Sequence, residues 1–186
     1  MDRRELLRSI ALITGATVVG GELMVLGCKS EAAKTGLFAA ADAGLLDEIA
    51  ETILPATDVP GAKAVKVGEF MIRMVEDCYD EKQQNIFTTG LTTLAAVCKE
   101  KTGKNFIQAT AEERHNFLVG IDQEAKAFKP ASESDGPHYF TLMKQLAIFG
   151  YFTSEIGCTQ ALRYVPVPGR YEGCIPYTKG EKAWAL

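Results

Sequence analysis

The residues that could do chemistry in this chain are few and widely spaced. Four cysteines follow the opening segment, each 16 or more residues from the next, and the chain has 2 histidines: Cys78, Cys98, Cys158, Cys174, His115 and His138. A zinc site would need cysteines or histidines at close spacing, and covalent haem attachment would need C-x-x-C-H. Neither spacing occurs, so the sequence predicts no metal ligand.

Patterns for other catalytic chemistry are also missing. Neither a P-loop nor a strand followed by G-x-G-x-x-G occurs, since Gly20-Gly21 stands alone near the start. The carboxylate pairs Glu76-Asp77 and Glu112-Glu113 fall at helix ends or exposed turns, so we interpret them as solvated charges. We therefore predict no catalytic and no cofactor-binding residue. The remaining enzymatic hypothesis is a nucleophile at Cys158 or Cys174.

The cysteines also have structural interpretations. Cys78 and Cys98 fall on apolar faces of predicted helices, which favours small buried hydrophobic side chains, with a disulfide after export as the alternative. Cys158 and Cys174 flank the exit from the last predicted helix and could therefore meet. A disulfide between them is the alternative to two free thiols if the protein is exported.

The first residues carry an export pattern. Arg3-Arg4 precede an apolar run from Ile10 to Gly21, which is 12 residues long, whereas a membrane-spanning helix needs roughly 20. A charged start and a short apolar middle are typical of a signal peptide, and the arginine pair resembles a twin-arginine signal, which exports folded proteins. We predict that residues 1–28 are an export signal and that the mature protein is periplasmic.

The end of this segment leaves two interpretations open. The sequence Val25-Leu26-Gly27-Cys28 resembles a bacterial lipobox, in which the cysteine becomes lipidated. Lipidation of Cys28 would anchor the protein to a membrane. Otherwise Cys28 is an incidental thiol in a cleaved peptide.

Helical periodicity dominates the rest of the chain, after a linker at residues 29–41. Apolar residues recur at steps of three and four between Pro, Gly, Asp and Thr breakers, which predicts about five helices in one domain over residues 42–186. These helices should begin near Asp42 (as N-cap), Val67, Asp80, Thr110 (in a capping box with Glu113) and His138. The third should end before Gly103, and the last, apolar almost all round, should reach about Tyr164.

The predicted fold class is therefore all-α, a compact bundle with an extended tail. Cys78 and Phe128 are among the side chains expected to be buried. Prolines at positions 166, 168 and 176 exclude a helix near the C-terminus and predict an extended tail there. The net charge of −4, with scattered basic residues, argues against a nucleic-acid partner.

Two segments together resemble the gluconate 2-dehydrogenase subunit 3 family. The first motif is TILPATDVPGA, residues 52–62. The second is GYFTSEIG, residues 150–157, and the similarity continues through Arg163-Tyr164 to Pro168-Gly169-Arg170-Tyr171. Members of this family are small and helical and open with a twin-arginine signal, in agreement with the order of features here.

The resemblance implies an accessory role. Such proteins are similar to the small subunit of flavin-dependent dehydrogenases that oxidise sugars or sugar acids at the outer face of the inner membrane. A large subunit of the glucose-methanol-choline (GMC) type would hold FAD and the catalytic residues, and a cytochrome c subunit with haem c often takes the electrons. The small subunit would supply the export signal for its folded partner and assist its maturation. The alternative is a stand-alone periplasmic lipoprotein that binds a ligand such as a sugar.

The C-terminal region has the composition of a binding surface. Tyr, Trp and Arg dominate interface hot spots, and an extended proline-containing segment loses less entropy on binding. The predicted partner interface comprises Tyr151, Phe152, Glu155, Arg163, Tyr164, Arg170, Tyr171, Tyr177 and Trp184. The alternative is that the tail folds back on its own bundle and its aromatic side chains are buried there.

Overall fold

The computed structural model describes residues 36–130, 135–167, 169–170 and 173–185. Within these ranges the chain forms five α-helices and no strand: Asp42–Ile53 (α1), Val67–Cys78 (α2), Glu81–Thr102 (α3), Ala111–Ala127 (α4) and Tyr139–Phe152 (α5). Short 3₁₀ turns lie at Ala62–Val65 and Phe106–Gln108, and a π-helical turn lies at Gly157–Ala161. The predicted all-α fold is confirmed.

Several helix ends are fixed by the side chains that the sequence indicated. Asp80 caps α3 through a 2.8 Å hydrogen bond from the backbone of its first turn. Gly103, with φ of 72°, ends α3 in a left-handed conformation that glycine adopts without strain. Thr110 and Glu113 form the predicted capping box of α4.

Other local predictions were wrong. Ala41 is the N-cap of α1, and Asp42 is its first helical residue, with Oδ2 accepting a hydrogen bond from the Ala39 N–H. Cys78 is exposed because it is the last residue of α2. Phe128 is 44% exposed because α4 ends one residue before it. Cys98, by contrast, is fully buried, as predicted.

The last helix is shorter than predicted, since α5 ends at Phe152 and not near Tyr164. Immediately after it, the Thr153 hydroxyl donates to the carbonyl four residues earlier at 2.7 Å, and the Ser154 hydroxyl donates to the carbonyl three residues earlier at 2.6 Å. Hydroxyl side chains that bond to nearby backbone in this way compete with continued helix. The Gly157 N–H then donates to Ser154 Oγ, and the chain enters the π-helical turn.

Helix α5 is the centre of the bundle and packs against each of the other four helices. Its buried side chains are those of Phe140, Leu142, Met143, Leu146, Ala147 and Tyr151. Each large apolar side chain removed from water contributes about 1.5–3 kcal/mol, which explains the apolar residues on the packed sides of this helix, whereas Ile148 and Phe149 are exposed. Within the described residues, no helix combines the length and apolarity needed to cross a membrane.

Candidate functional site

The first motif forms a loop between α1 and α2 whose two ends are tied together. Glu51, in the last turn of α1, accepts hydrogen bonds from the Ala56 N–H at 3.0 Å and from the Lys63 N–H at 2.8 Å. The Ala62 N–H also donates to the Leu54 carbonyl at 3.0 Å. Residues 55–58 of the loop are exposed. Because one carboxylate binds the backbone on both sides of them, their position relative to α1 is fixed.

Glycine is required inside this loop. A Cβ at Gly61 would collide with both carboxylate oxygens of Glu51 and with the Ala56 nitrogen. The loop therefore closes only where the backbone carries no side chain, and this accounts for Gly61 in the first motif.

The second motif is joined to the first through Tyr151. Its hydroxyl donates to the Pro60 carbonyl at 2.7 Å across 91 residues of sequence, and its side chain is only 5% exposed. Burial, with a smaller contribution from the Glu51 carboxylate, raises the pKa of Tyr151. The hydroxyl thus stays protonated and donates throughout the ordinary pH range.

An ionic cluster fastens α4 to the same loop. Glu48 of α1 accepts from both Lys63 and Arg114, and the side chains of Glu48 and Arg114 are 14% and 18% exposed. Burial of Glu48 favours its neutral form, but the hydrogen bonds and charges of Lys63 and Arg114 outweigh burial and lower its pKa. A cavity of about 500 Å³ lies beside this cluster and is also lined by Glu51, Ala56, Pro60, Gly61 and Ala64. Because the charges compensate one another, the cluster positions α4 and the loop rather than offering a base.

The ionic cluster of Glu48, Lys63 and Arg114 was not predicted from the sequence. Glu48 and Glu51 stand three residues apart on α1 and so share a face, a signal that could have been read from the sequence. The pairing of Glu48 with Arg114, which lies 66 residues away, could not be read from the sequence.

The end of the C-terminal tail contacts the start of the tail at Arg163. The Arg163 N–H donates to the Ala183 carbonyl at 2.8 Å, and the Arg163 carbonyl accepts from the Ala185 N–H at 3.0 Å. The guanidinium lies 3.8 Å from the centroid of the Trp184 ring and pairs with Glu181. We call residues 163–185 the tail loop, and every structural statement about it concerns its described residues, 163–167, 169–170 and 173–185.

The predicted interface residues fall into several environments. Tyr151 is buried and contributes to the fold, and Phe152 is half-buried. Arg163 and Trp184 close the tail loop. The exposed members are Glu155, Tyr164, Arg170, Tyr177 and Trp184, which is 45% exposed although it also contacts Arg163. Tyr171 lies outside the described residues, as do Arg3, Arg4 and Cys28.

The cysteines predicted to pair are free thiols in the structure. Cys158 is half-buried, with its Sγ 3.0 Å from the Phe152 carbonyl oxygen, and Cys174 is exposed. A disulfide between them stays a prediction. In the described part of the chain, no group of three or more His, Cys, Asp or Glu side chains could hold a metal ion.

Exposed apolar side chains concentrate in one stretch. Of twelve large hydrophobic residues exposed in the described ranges, eight lie between positions 148 and 184, about a quarter of those ranges. They are Ile148, Phe149, Tyr164, Val165, Val167, Ile175, Tyr177 and Trp184. Exposed apolar residues scattered singly need no explanation, so this stretch is the part of the described chain that most needs one.

Comparison with known proteins gives one match. No curated protein and no solved structure matches the chain. The family model described as gluconate 2-dehydrogenase subunit 3 matches residues 40–169, a span that includes α1 to α5 and both motifs. The chain therefore belongs to the gluconate 2-dehydrogenase subunit 3 family.

Proposed function

We propose that this chain is the non-catalytic small subunit of an exported, FAD-dependent dehydrogenase that oxidises a sugar or sugar acid. Its family is that of the third subunit of gluconate 2-dehydrogenase, so the chain is an accessory subunit of a complex of that type. The finer proposal is that a GMC-type flavoprotein holds FAD and the catalytic residues. A cytochrome c subunit with haem c would take the electrons.

The observation that carries the proposal is the concentration of exposed apolar side chains between positions 148 and 184. This stretch overlaps the second motif, and Tyr151 ties that motif to the first by its hydrogen bond to Pro60. The two motifs thus hold each other in place, and the exposed apolar residues that flank Tyr151 or follow it in the sequence are available to a partner. Association of proteins is driven largely by covering such surface.

The export part of the proposal rests on the sequence. Arg3-Arg4 would direct the folded chain to the periplasm, and a flavoprotein bound to it would be carried along. Lipidation of Cys28 would then hold the complex at the membrane. Binding would also assist maturation, since a ligand of the folded flavoprotein shifts its folding equilibrium towards the native state.

Affinity purification of the tagged chain from its native host tests the proposal. We expect a larger, yellow protein with an FAD absorption spectrum to co-purify in a fixed ratio. A monomeric chain that brings down no flavoprotein would contradict the small-subunit role. Binding of a sugar to that monomer in a calorimeter would then favour the stand-alone binding module.

A further inference from the structure

We propose that the tail loop binds an acidic patch on the surface of the flavoprotein subunit, an inference that rests on the proposed function. The exposed aromatic and aliphatic side chains of the loop would provide apolar contact. Its net positive charge would select a partner surface rich in Asp and Glu. The acidic character of the partner surface is thus inferred from the charge of the tail loop and from the exposure of its described residues.

Charge is unevenly divided along the chain. Residues 36–162 contain eleven basic and eighteen acidic residues, a net charge of −7, whereas residues 163–186 contain four basic and two acidic residues, a net charge of +2. An acidic partner would therefore be repelled by the helical bundle and attracted by the tail loop. Such complementarity orients the encounter of two proteins and suppresses wrong docking.

The tail loop is shaped before any partner binds. Arg163 joins the start of the loop to its end through two backbone hydrogen bonds, the Trp184 ring and Glu181. The Lys182 ammonium also donates to the Gln160 carbonyl. Because these contacts already limit the conformations of the loop, less conformational entropy is lost on binding.

The loop encloses a cavity that could receive a partner side chain. The cavity measures about 600 Å³, and its lining includes Arg163, Ile175, Pro176, Tyr177, Lys182 and Trp184. Tyr177 is 82% exposed and Val167 is 79% exposed. Aromatic side chains next to cations are the composition found at interface hot spots.

The alternative occupant, an anionic lipid surface, fits less well. Electrostatic adsorption to lipid typically uses clusters of four to eight basic residues. Residues 163–186 contain four basic and two acidic residues, and their net charge of +2 falls short of such a cluster. The net charge of −7 over residues 36–162 would oppose approach to an anionic membrane. The observations therefore favour a protein partner.

The test uses the complex as purified from the host. Variant chains compete with labelled wild-type chain for the flavoprotein, and the complex is followed by fluorescence anisotropy. Tyr177→Ala should weaken competition about thirtyfold, the size typical of an aromatic hot spot. Lys179→Glu should weaken it about fivefold at low salt, and the loss should shrink in about 0.5 M salt because rim charges are screened.

Two matched variants on the helical bundle are the controls. Ile107→Ala removes an apolar side chain that is 53% exposed, and Lys129→Glu reverses an exposed charge. Both should compete like the wild-type chain. Circular dichroism should show the helix content of all four variants unchanged, because none of the four side chains is buried.

The outcomes separate this inference from the proposed function. If wild-type chain forms the complex but the tail variants compete equally well, the tail-loop inference is overturned and the small-subunit role stands. Absence of any complex with wild-type chain would remove both. Sedimentation with phosphatidylglycerol vesicles that is lost only in the tail variants, with competition unchanged, would assign the loop to lipid and also overturn the inference.

Discussion

At the scale of single residues, the two motifs depend on a few polar contacts with distant partners. Glu51 holds the loop of the first motif through two backbone N–H groups. Tyr151 joins that loop to the second motif. Both side chains bond to backbone groups and so hold the loop in position. Each role can be tested by a substitution that removes the polar atoms and little else.

Removing the Tyr151 hydroxyl should destabilise the fold. Tyr151→Phe keeps the buried ring but leaves the Pro60 carbonyl without its donor, which should lower the free energy of unfolding by about 1–2 kcal/mol. Urea denaturation followed by circular dichroism measures the change. The matched control is Tyr177→Phe, whose hydroxyl lies on a side chain that is 82% exposed and should change nothing. Equal stability of the two variants would refute a structural role for the hydrogen bond.

His138 should make stability depend on pH. Its Nδ1 accepts the Phe140 N–H at 3.2 Å at the start of α5, and its ring lies against Phe128 and Tyr139. Burial lowers the pKa of His138 below its ordinary 6.5, partly opposed by the negative charge of Glu124. Protonation would replace the acceptor by a donor and place positive charge at a helix N-terminus.

The sign of the effect follows from the lowered pKa. The stabilisation from neutral His138 is complete above pH 6.5 and is lost as pH falls through the lower folded-state value. His138→Asn supplies an acceptor that does not titrate, so its stability should fall less than that of wild type between about pH 7.5 and pH 5.5. Urea denaturation at both pH values measures this. His115→Asn changes the other histidine, which is exposed, and should keep the wild-type dependence of stability on pH. If the two variants show the same dependence on pH, His138 is excluded as its source.

At the scale of elements, the end of α5 decides where the tail begins. Hydroxyl groups of Thr153 and Ser154 bond to carbonyls of the last turn, and the π-helical turn Gly157–Ala161 redirects the chain. The Leu162 N–H returns to the Gly157 carbonyl at 2.9 Å and closes this turn. The position of the tail loop therefore depends on a turn that packs against the end of α5, with Gly157 buried and Ala161 in contact with the core.

Gly157 should tolerate no side chain. A Cβ there would collide with the Tyr151 carbonyl oxygen, so Gly157→Ala should cost about 1–3 kcal/mol of unfolding free energy, the usual range for overpacking. Gly120 lies inside α4 with nothing near its Cβ position. Gly120→Ala should therefore leave the free energy of unfolding unchanged or raise it by about 0.5–1 kcal/mol. Thermal unfolding of the two alanine variants compares them directly. Destabilisation at Gly120 but not at Gly157 would show that the turn is not close-packed.

At the scale of the whole molecule, the chain has three parts: the predicted export signal, the helical bundle and the tail loop. The family match spans α1 to α5, while the tail loop extends beyond it to residue 185. Half of the exposed large apolar side chains of the described residues lie in the tail loop. A subunit built in this way would use its bundle as a base for the segment that contacts its partner.

The export prediction concerns the whole complex. Replacing Arg3 and Arg4 with lysine should leave both this chain and its flavoprotein in the cytoplasm, because folded-protein export depends on the arginine pair. Cell fractionation with detection of both proteins measures the effect. Arg8→Lys, which keeps the pair, should export normally. A flavoprotein that still reaches the periplasm in the lysine variant would argue that it does not travel with this chain.

Much of the local architecture was determined by the sequence. The capping box at Thr110 and Glu113, the start of α3 near Asp80 and the terminating Gly103 were all predicted, because a helix end depends on residues within one turn of it. The family was also recognisable from two contiguous motifs. These features involve interactions over only a few positions.

Only the tertiary structure decided which distant residues meet. The Tyr151–Pro60 hydrogen bond, the Glu48–Arg114 ion pair and the return of the tail to Arg163 connect parts of the chain that no periodicity relates. Tyr151 looked like an interface residue by type but is buried by its position on α5. Type and spacing fix what a side chain can do locally, whereas packing of the helices fixes which side chains remain at the surface and which partners they reach.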